Sequence, residues 1–185
     1  MSEIESPFPF GPPRPGQQLV TDAEILDACC GGRMWWWDKE HPLACYVDKR
    51  TRPAGTISQK PLWKVEPDVQ ADFRSLPFPD DHFQLVLFDP PHQVRSRAGT
   101  GINAEQYGSW QPGEREDALA LGFAECWRVL APGGTLVFKW AGRVTEVEET
   151  FPVTPVVGTR PRGRKEGPAW VVFYKPLAEA QEVAA

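Results

Sequence analysis

FQLVLFDPPH, residues 83–92, is the stretch from which the rest of the chain can be worked out. Apart from Gln84, every residue from Phe83 to Phe88 is apolar, which is the pattern of a strand covered on both faces rather than one with a wet side. Such a strand belongs inside a parallel sheet. Asp89 then stands where the chain leaves the sheet, and Pro90 and Pro91 fix φ and offer no backbone N–H. The chain ends a core strand on a carboxylate, stiffens the next two residues and presents His92.

On either side, apolar runs alternate with longer amphipathic or polar stretches. EILDACC (24–30), ACYVDKR (44–50) and the weaker DVQADF (68–73) read as strands upstream, and TLVFKW (135–140), PVTPVVG (152–158) and AWVVFYK (169–175) downstream. REDALALGFAECWRVL (115–130) has apolar residues at 118, 119, 121, 123, 126, 127, 129 and 130, the spacing of a helix with one buried face. The APGG that follows should end it, because Pro132 cannot continue a helix and the two glycines accept positive φ. The alternation predicts an α/β doubly wound domain over 21–176, a mainly parallel seven-stranded sheet with an antiparallel last strand and helices on both faces. A Pro/Gly-rich arm (1–20) precedes it, and residues 177–185 read as a flexible tail.

A chain of 185 residues with 41% hydrophobic and 24% charged residues can build one sizeable core and not two. Its net charge of −5 excludes a whole-chain basic field for nucleic acid or membrane, though not a local patch. No apolar run is long enough to span a bilayer, and no basic segment followed by an apolar one opens the chain. The reading is a cytoplasmic protein without membrane contact. Cys29, Cys30, Cys45 and Cys126 show no paired CxxC spacing, so reduced thiols are expected and no metal site.

Ligands of doubly wound sheets bind outside the carboxyl ends of the strands. Those ends carry Asp27, Asp48, Asp72 and Asp89, more acids than a core needs. The plainer alternative is that they are turn formers, a role Asp fills well.

ILDACCGG, YVD with Asp48, ADFRSLPFPDDHFQLVLFD and CWRVLAPGGTLVFKW, in that order, resemble the S-adenosylmethionine-dependent methyltransferases with a Rossmann-like fold, over about residues 21–175. The glycine loop of that family usually reads Asp-x-Gly-x-Gly-x-Gly, whereas here Asp27 is followed by Ala28, Cys29, Cys30 and Gly31. The resemblance implies S-adenosyl-L-methionine as cofactor. Asp27 and the loop Ala28, Cys29, Cys30 and Gly31 would face its methionine part, with backbone amides offered to the carboxylate. Asp48 would accept from the ribose hydroxyls, Asp72 from the adenine amino group, and Phe73 would pack beside the ring.

DPPH resembles the Asp/Asn-Pro-Pro-aromatic motif of amino-methyltransferases, which act on adenine or cytosine in nucleic acids or on glutamine side chains. The match implies catalytic roles for Asp89, Pro90, Pro91 and His92. The carboxylate and the next backbone carbonyl accept from the target NH2, and the prolines hold them still. His92 replaces the usual aromatic as a planar wall. The Cys-Cys-Gly-x-Arg-Met start, DPPH and FKW together are similar to small phage and prophage-like methyltransferases.

The substrate is expected to be DNA or RNA. Residues 93–112 form a polar loop in the position for substrate contact, with Arg95, Arg97 and Trp110, and GTRPRGRKEG (158–167) carries Arg160, Arg162 and Arg164. Lys139 in FKW joins them as a candidate substrate contact. Solvated charge is the simpler account of the loops. No separate recognition domain fits in the length, so a recognition partner or a homodimer stays open. For Trp35-Trp36-Trp37, core packing competes with stacking on a base or cofactor. A small-molecule or protein amino-methyltransferase would share the motifs, and a catalytically inactive binding protein of the same fold is the remaining alternative.

Overall fold

The computed structural model describes residues 18–56, 60–93, 106–140, 151–158 and 169–177. Its elements are β1 (Ile25–Asp27), β2 (Ala44–Asp48), β3 (Val69–Gln70), β4 (Phe83–Phe88), α1 (Arg115–Val129), β5 (Leu130–Trp140), β6 (Val157–Gly158) and β7 (Ala169–Tyr174). They form one seven-stranded sheet in the order β3-β2-β1-β4-β5-β7-β6. The pairs from β3 to β5 are parallel, and β7 runs antiparallel to both β5 and β6. The fold is a Rossmann-like α/β sheet, as the apolar runs predict.

Burial explains the central strands. All five residues of β2 are buried, and β4 buries Phe83, Val86 and Phe88. Helix α1 turns a stripe of Ala118, Leu119, Gly122, Phe123, Cys126 and Val129 onto β4 and β5. Gly122 has to be bare: a Cβ there would lie 2.6 Å from Phe73 and 2.8 Å from Phe88. The helix thereby presses on a side chain that also lines the site.

The connections differ from expectation. α1 is the one whole helix among the described residues, and the described parts of 28–43, 49–68 and 71–82 run as turns. Pro42, Pro53, Pro61, Pro67, Pro77 and Pro79 interrupt these segments, and a proline inside a helix removes a hydrogen bond and clashes with the preceding turn. The APGG stretch is not a loop either. β5 begins at Leu130, and Ala131 to Gly134 make its irregular start, with a register shift between Phe83 and Leu85 and positive φ at Gly133. Strand character in 152–158 is confined to Val157 and Gly158. Leu19, assigned to the arm, is buried, and its amide donates to Pro77. No helix among the described residues is long and apolar enough to cross a membrane.

Candidate active site

Strand order reverses between β1 and β4, whose carboxyl ends carry Asp27 and Asp89. A sheet opens a crevice at such a switch point. Here it is a cavity of about 430 Å³, lined by the 27–32 loop, Trp35, Asp48, Phe73, the 89–92 segment, Trp110 and Lys139. That volume lies within the roughly 300–1,000 Å³ range of small-molecule sites.

Asp27 is 6% exposed. The Trp36 indole donates to its Oδ2 at 2.8 Å and the Cys29 amide to its Oδ1 at 3.4 Å. Burial pushes its pKa up to about 7; the two donors oppose the shift, and nearby Asp89 and Asp48 add to it. The loop amides expected to meet a ligand carboxylate are mostly engaged. Ala28 donates to Leu87 of β4, Cys30 to Val47 of β2, and Gly31 to Asp48 Oδ2. With the Cys29 bond to Asp27, the amides of 28–31 tie the loop to the sheet, which corrects that expectation. Burial also pushes the Cys29 and Cys30 thiols well up.

Asp48 lines the cavity but has its own partner. Arg50 grips it with Nε on Oδ1 and Nη2 on Oδ2, both at 3.0 Å, and with its backbone amide at 2.9 Å. Asp72 repeats the arrangement with Arg74 Nε at 2.9 Å and Nη2 at 2.7 Å, and Lys49 lies 3.9 Å away. Burial raises the Asp72 pKa, but the Arg74 bonds outweigh it and hold the carboxyl below its ordinary value. Asp72 does not line the cavity, so the reading that it meets an adenine amino group loses its geometry; Phe73, next to it, does line the wall. The Asp-x-Arg spacing at 48–50 and 72–74 was visible in the sequence and passed over.

Asp89 is the most heavily engaged acid. Trp35 Nε1 and Lys139 Nζ both reach Oδ2 at 2.8 Å. His92 Nε2 lies 3.1 Å from Oδ1 but off the line of a hydrogen bond, and Oδ1 is buried without a hydrogen-bond donor. Burial pushes the Asp89 pKa up, but His92 and Lys139 outweigh it and hold the carboxyl below its ordinary value. The His92 ring stands edge-on to Trp140 at 5.2 Å, with Nδ1 also buried and unpartnered. The Trp110 indole donates to the Pro91 carbonyl and its amide to Gln93. This buried residue thus pins both ends of the loop between them and meets Phe73 edge-on at 5.9 Å.

Asp27, the 28–31 loop, Asp48, Phe73, Asp89, Pro90, Pro91, His92, Trp110 and Lys139 therefore meet at one cavity. Arg95, Arg97, Arg160, Arg162 and Arg164 lie outside the described residues. The tryptophan run has a division of labour that packing and stacking readings both missed. Trp35 donates to Asp89, Trp36 to Asp27, and Trp37 is fully exposed. Periodicity could not show this, because the run lies on turns rather than a helix.

Fold and site define a Rossmann-like α/β protein with an acid-lined, ligand-sized cavity at the switch point. No family model matches the chain and no curated protein matches it. Among solved structures it is similar to the PH0226 protein of Pyrococcus horikoshii OT3, with 18% identity, 84% of this chain and 82% of that chain covered, and a TM-score of 0.49. It is similar to the N-methyltransferase NodS of Bradyrhizobium japonicum WM9, with 15% identity, coverage of 86% and 88%, and a TM-score of 0.45. A SAM-dependent methyltransferase of Leishmania major is 12% identical over 83% of this chain, with a TM-score of 0.46; this chain spans 65% of that one. At these identities and TM-scores the likenesses say nothing of what this chain binds or does.

Proposed function

We propose that the protein is an S-adenosylmethionine-dependent methyltransferase acting on an amino nitrogen of adenine or cytosine in a nucleic acid. The observation that carries this reading is the buried, donorless Asp89 Oδ1 at the rigid end of β4, facing the same cavity as Asp48 and the 27–32 loop. An orphaned carboxylate oxygen in a ligand-sized cavity calls for a donor, since leaving a buried polar atom unmatched costs about 1–3 kcal/mol. An amino group supplies that donor.

The residues present fit the cofactor. Asp48 has a carboxylate for the ribose hydroxyls once Arg50 shares or releases it, and Phe73 gives an apolar wall for a ring. Gly32 is the loop position through which the methionine part would pass. When bound, the cofactor would supply a methyl group on a sulfonium sulfur. Asp89 Oδ1 and the Pro90 carbonyl would accept from the target NH2, turning its lone pair out of conjugation. The N–C bond forms as the S–C bond breaks, and the amino proton leaves afterwards to solvent. No strong base is required, because the residues act by positioning and fixed dipoles. Trp110, through the Pro91 carbonyl, keeps the two prolines in place.

Calorimetric titration with S-adenosylmethionine tests the reading. Wild type should bind and Asp48→Ala should bind more weakly by about 1–3 kcal/mol, the cost of unmade hydrogen bonds to a charge. Absence of binding in the wild type removes the cofactor and the enzyme class together, while unchanged affinity in the variant removes the ribose role alone.

A further inference from the structure

The two oxygens of Asp89 are in different states. Oδ2 receives both Trp35 Nε1 and Lys139 Nζ at 2.8 Å, while Oδ1 has no hydrogen-bond donor. Two donors on one oxygen fix the carboxylate's rotation, so Oδ1 is the free acceptor by construction. Trp35 is a positioning residue in this arrangement, with its ring against Trp170 at 4.4 Å. Lys139 differs. Its ammonium has three protons. One is spent on Oδ2, no second acceptor is seen among the described residues, and the side chain lines the cavity at 24% exposure.

We infer that Asp89 and Lys139 together read a donor–acceptor edge, so that the substrate is a neutral amino group conjugated to an adjacent ring nitrogen, and not an alkylammonium. This rests on the amino-methyltransferase reading above and specifies its substrate class. Oδ1 takes an N–H of the amino group, and Lys139 donates to the ring nitrogen beside it, which is the edge an aminated heterocycle presents. His92 closes the site as a flat wall. An alkyl amine fails on both counts. It arrives protonated, its approach to Asp89 is opposed by an ammonium already held there, and it carries no acceptor for Lys139. A bare carboxylate would attract such a cation; a carboxylate neutralised by lysine does not.

The Trp35 indole N–H signal in a ¹⁵N-labelled sample of the whole chain reports directly on Asp89, and Trp35→Phe identifies it. In the wild type, adenosine or cytidine should move this signal at concentrations at least tenfold below those at which butylamine does. Lys139→Met should reverse that order and shift the pH at which the signal titrates upward by one unit or more, while Lys139→Arg should restore wild-type behaviour. A wild type that responds to butylamine as readily as to either nucleoside, or to neither nucleoside, overturns the inference. So does a Lys139→Met protein with unchanged preference and titration. Calorimetry with S-adenosylmethionine on the same samples reads the underlying enzyme reading separately, since cofactor binding does not depend on which ligand Asp89 prefers.

Discussion

Asp89 and His92 have separable jobs. Asp89→Ala should abolish methyl transfer while cofactor affinity stays close to wild type, measured by labelled-methyl incorporation and calorimetry on the same protein. His92 stands edge-on to Trp140 with Nε2 near Asp89. A planar replacement should therefore serve. His92→Tyr or His92→Phe should keep measurable activity, and His92→Ala should lose about 1–3 kcal/mol, the worth of one stacking contact. If His92 is a general base, all three variants are equally inactive and wild-type activity falls below about pH 6.5. Asp27 makes a second prediction at this scale. Its carboxyl moves from an ordinary 3.8 to about 7 on folding. Between those values the native state keeps a proton that the unfolded chain releases, so stability falls as pH rises, by up to about 1.4 kcal/mol per unit, and levels off above about 7. Asp72, Asp89 and Glu125 are held low and titrate below this window. Asp27→Asn keeps an oxygen for Trp36, so it should lower the steepness of this fall and raise Tm at pH 8. Equal Tm-versus-pH curves for the two proteins between pH 5 and 8 contradict the buried-acid account.

At the scale of elements, α1 and the site share Phe73. Gly122→Ala would gain about 1 kcal/mol of helix propensity. It would also put a methyl 2.6–2.8 Å from the Phe73 and Phe88 rings, and overpacking of that kind costs about 1–3 kcal/mol. The variant should therefore melt lower despite its better helix former, and its cofactor affinity should fall because Phe73 is pushed toward the cavity. A higher Tm with unchanged affinity shows that the rings move aside. The elements themselves were legible where burial leaves no choice. β2, β4 and α1 lie within two residues of their apolar patterns, because a strand covered on both faces and a helix with one buried stripe write themselves into composition. The connections were not, because they are set by prolines and by hydrogen bonds to distant strands, such as Ala28 to Leu87. The site was half legible. Asp27, Asp48 and Asp89 stand at strand ends, so the sheet alone brings them together. Trp35, 54 residues from Asp89 along the chain, could not be paired with it from spacing.

For the whole molecule, the sheet order is what makes one cavity out of residues spread over more than a hundred positions. β1 and β4 are neighbours at the switch point, and β5, beside β4, sets Lys139 beside Asp89. The 27–32 loop and DPPH thus share a wall although the sequence separates them. The basic stretches around Arg95 and Arg160 would then serve as phosphate contacts for a polynucleotide whose base reaches Asp89. The most direct measurement is methyl transfer. The protein is incubated with S-adenosylmethionine labelled in the methyl group and single-stranded or duplex DNA or RNA, and the nucleic acid is digested to nucleosides. The account predicts label on the exocyclic nitrogen of adenine or cytosine, present with wild type and absent with Asp89→Ala. Label on carbon or oxygen, label in a small-molecule or protein extract but in no nucleic acid, or equal incorporation by the Asp89→Ala protein would contradict it.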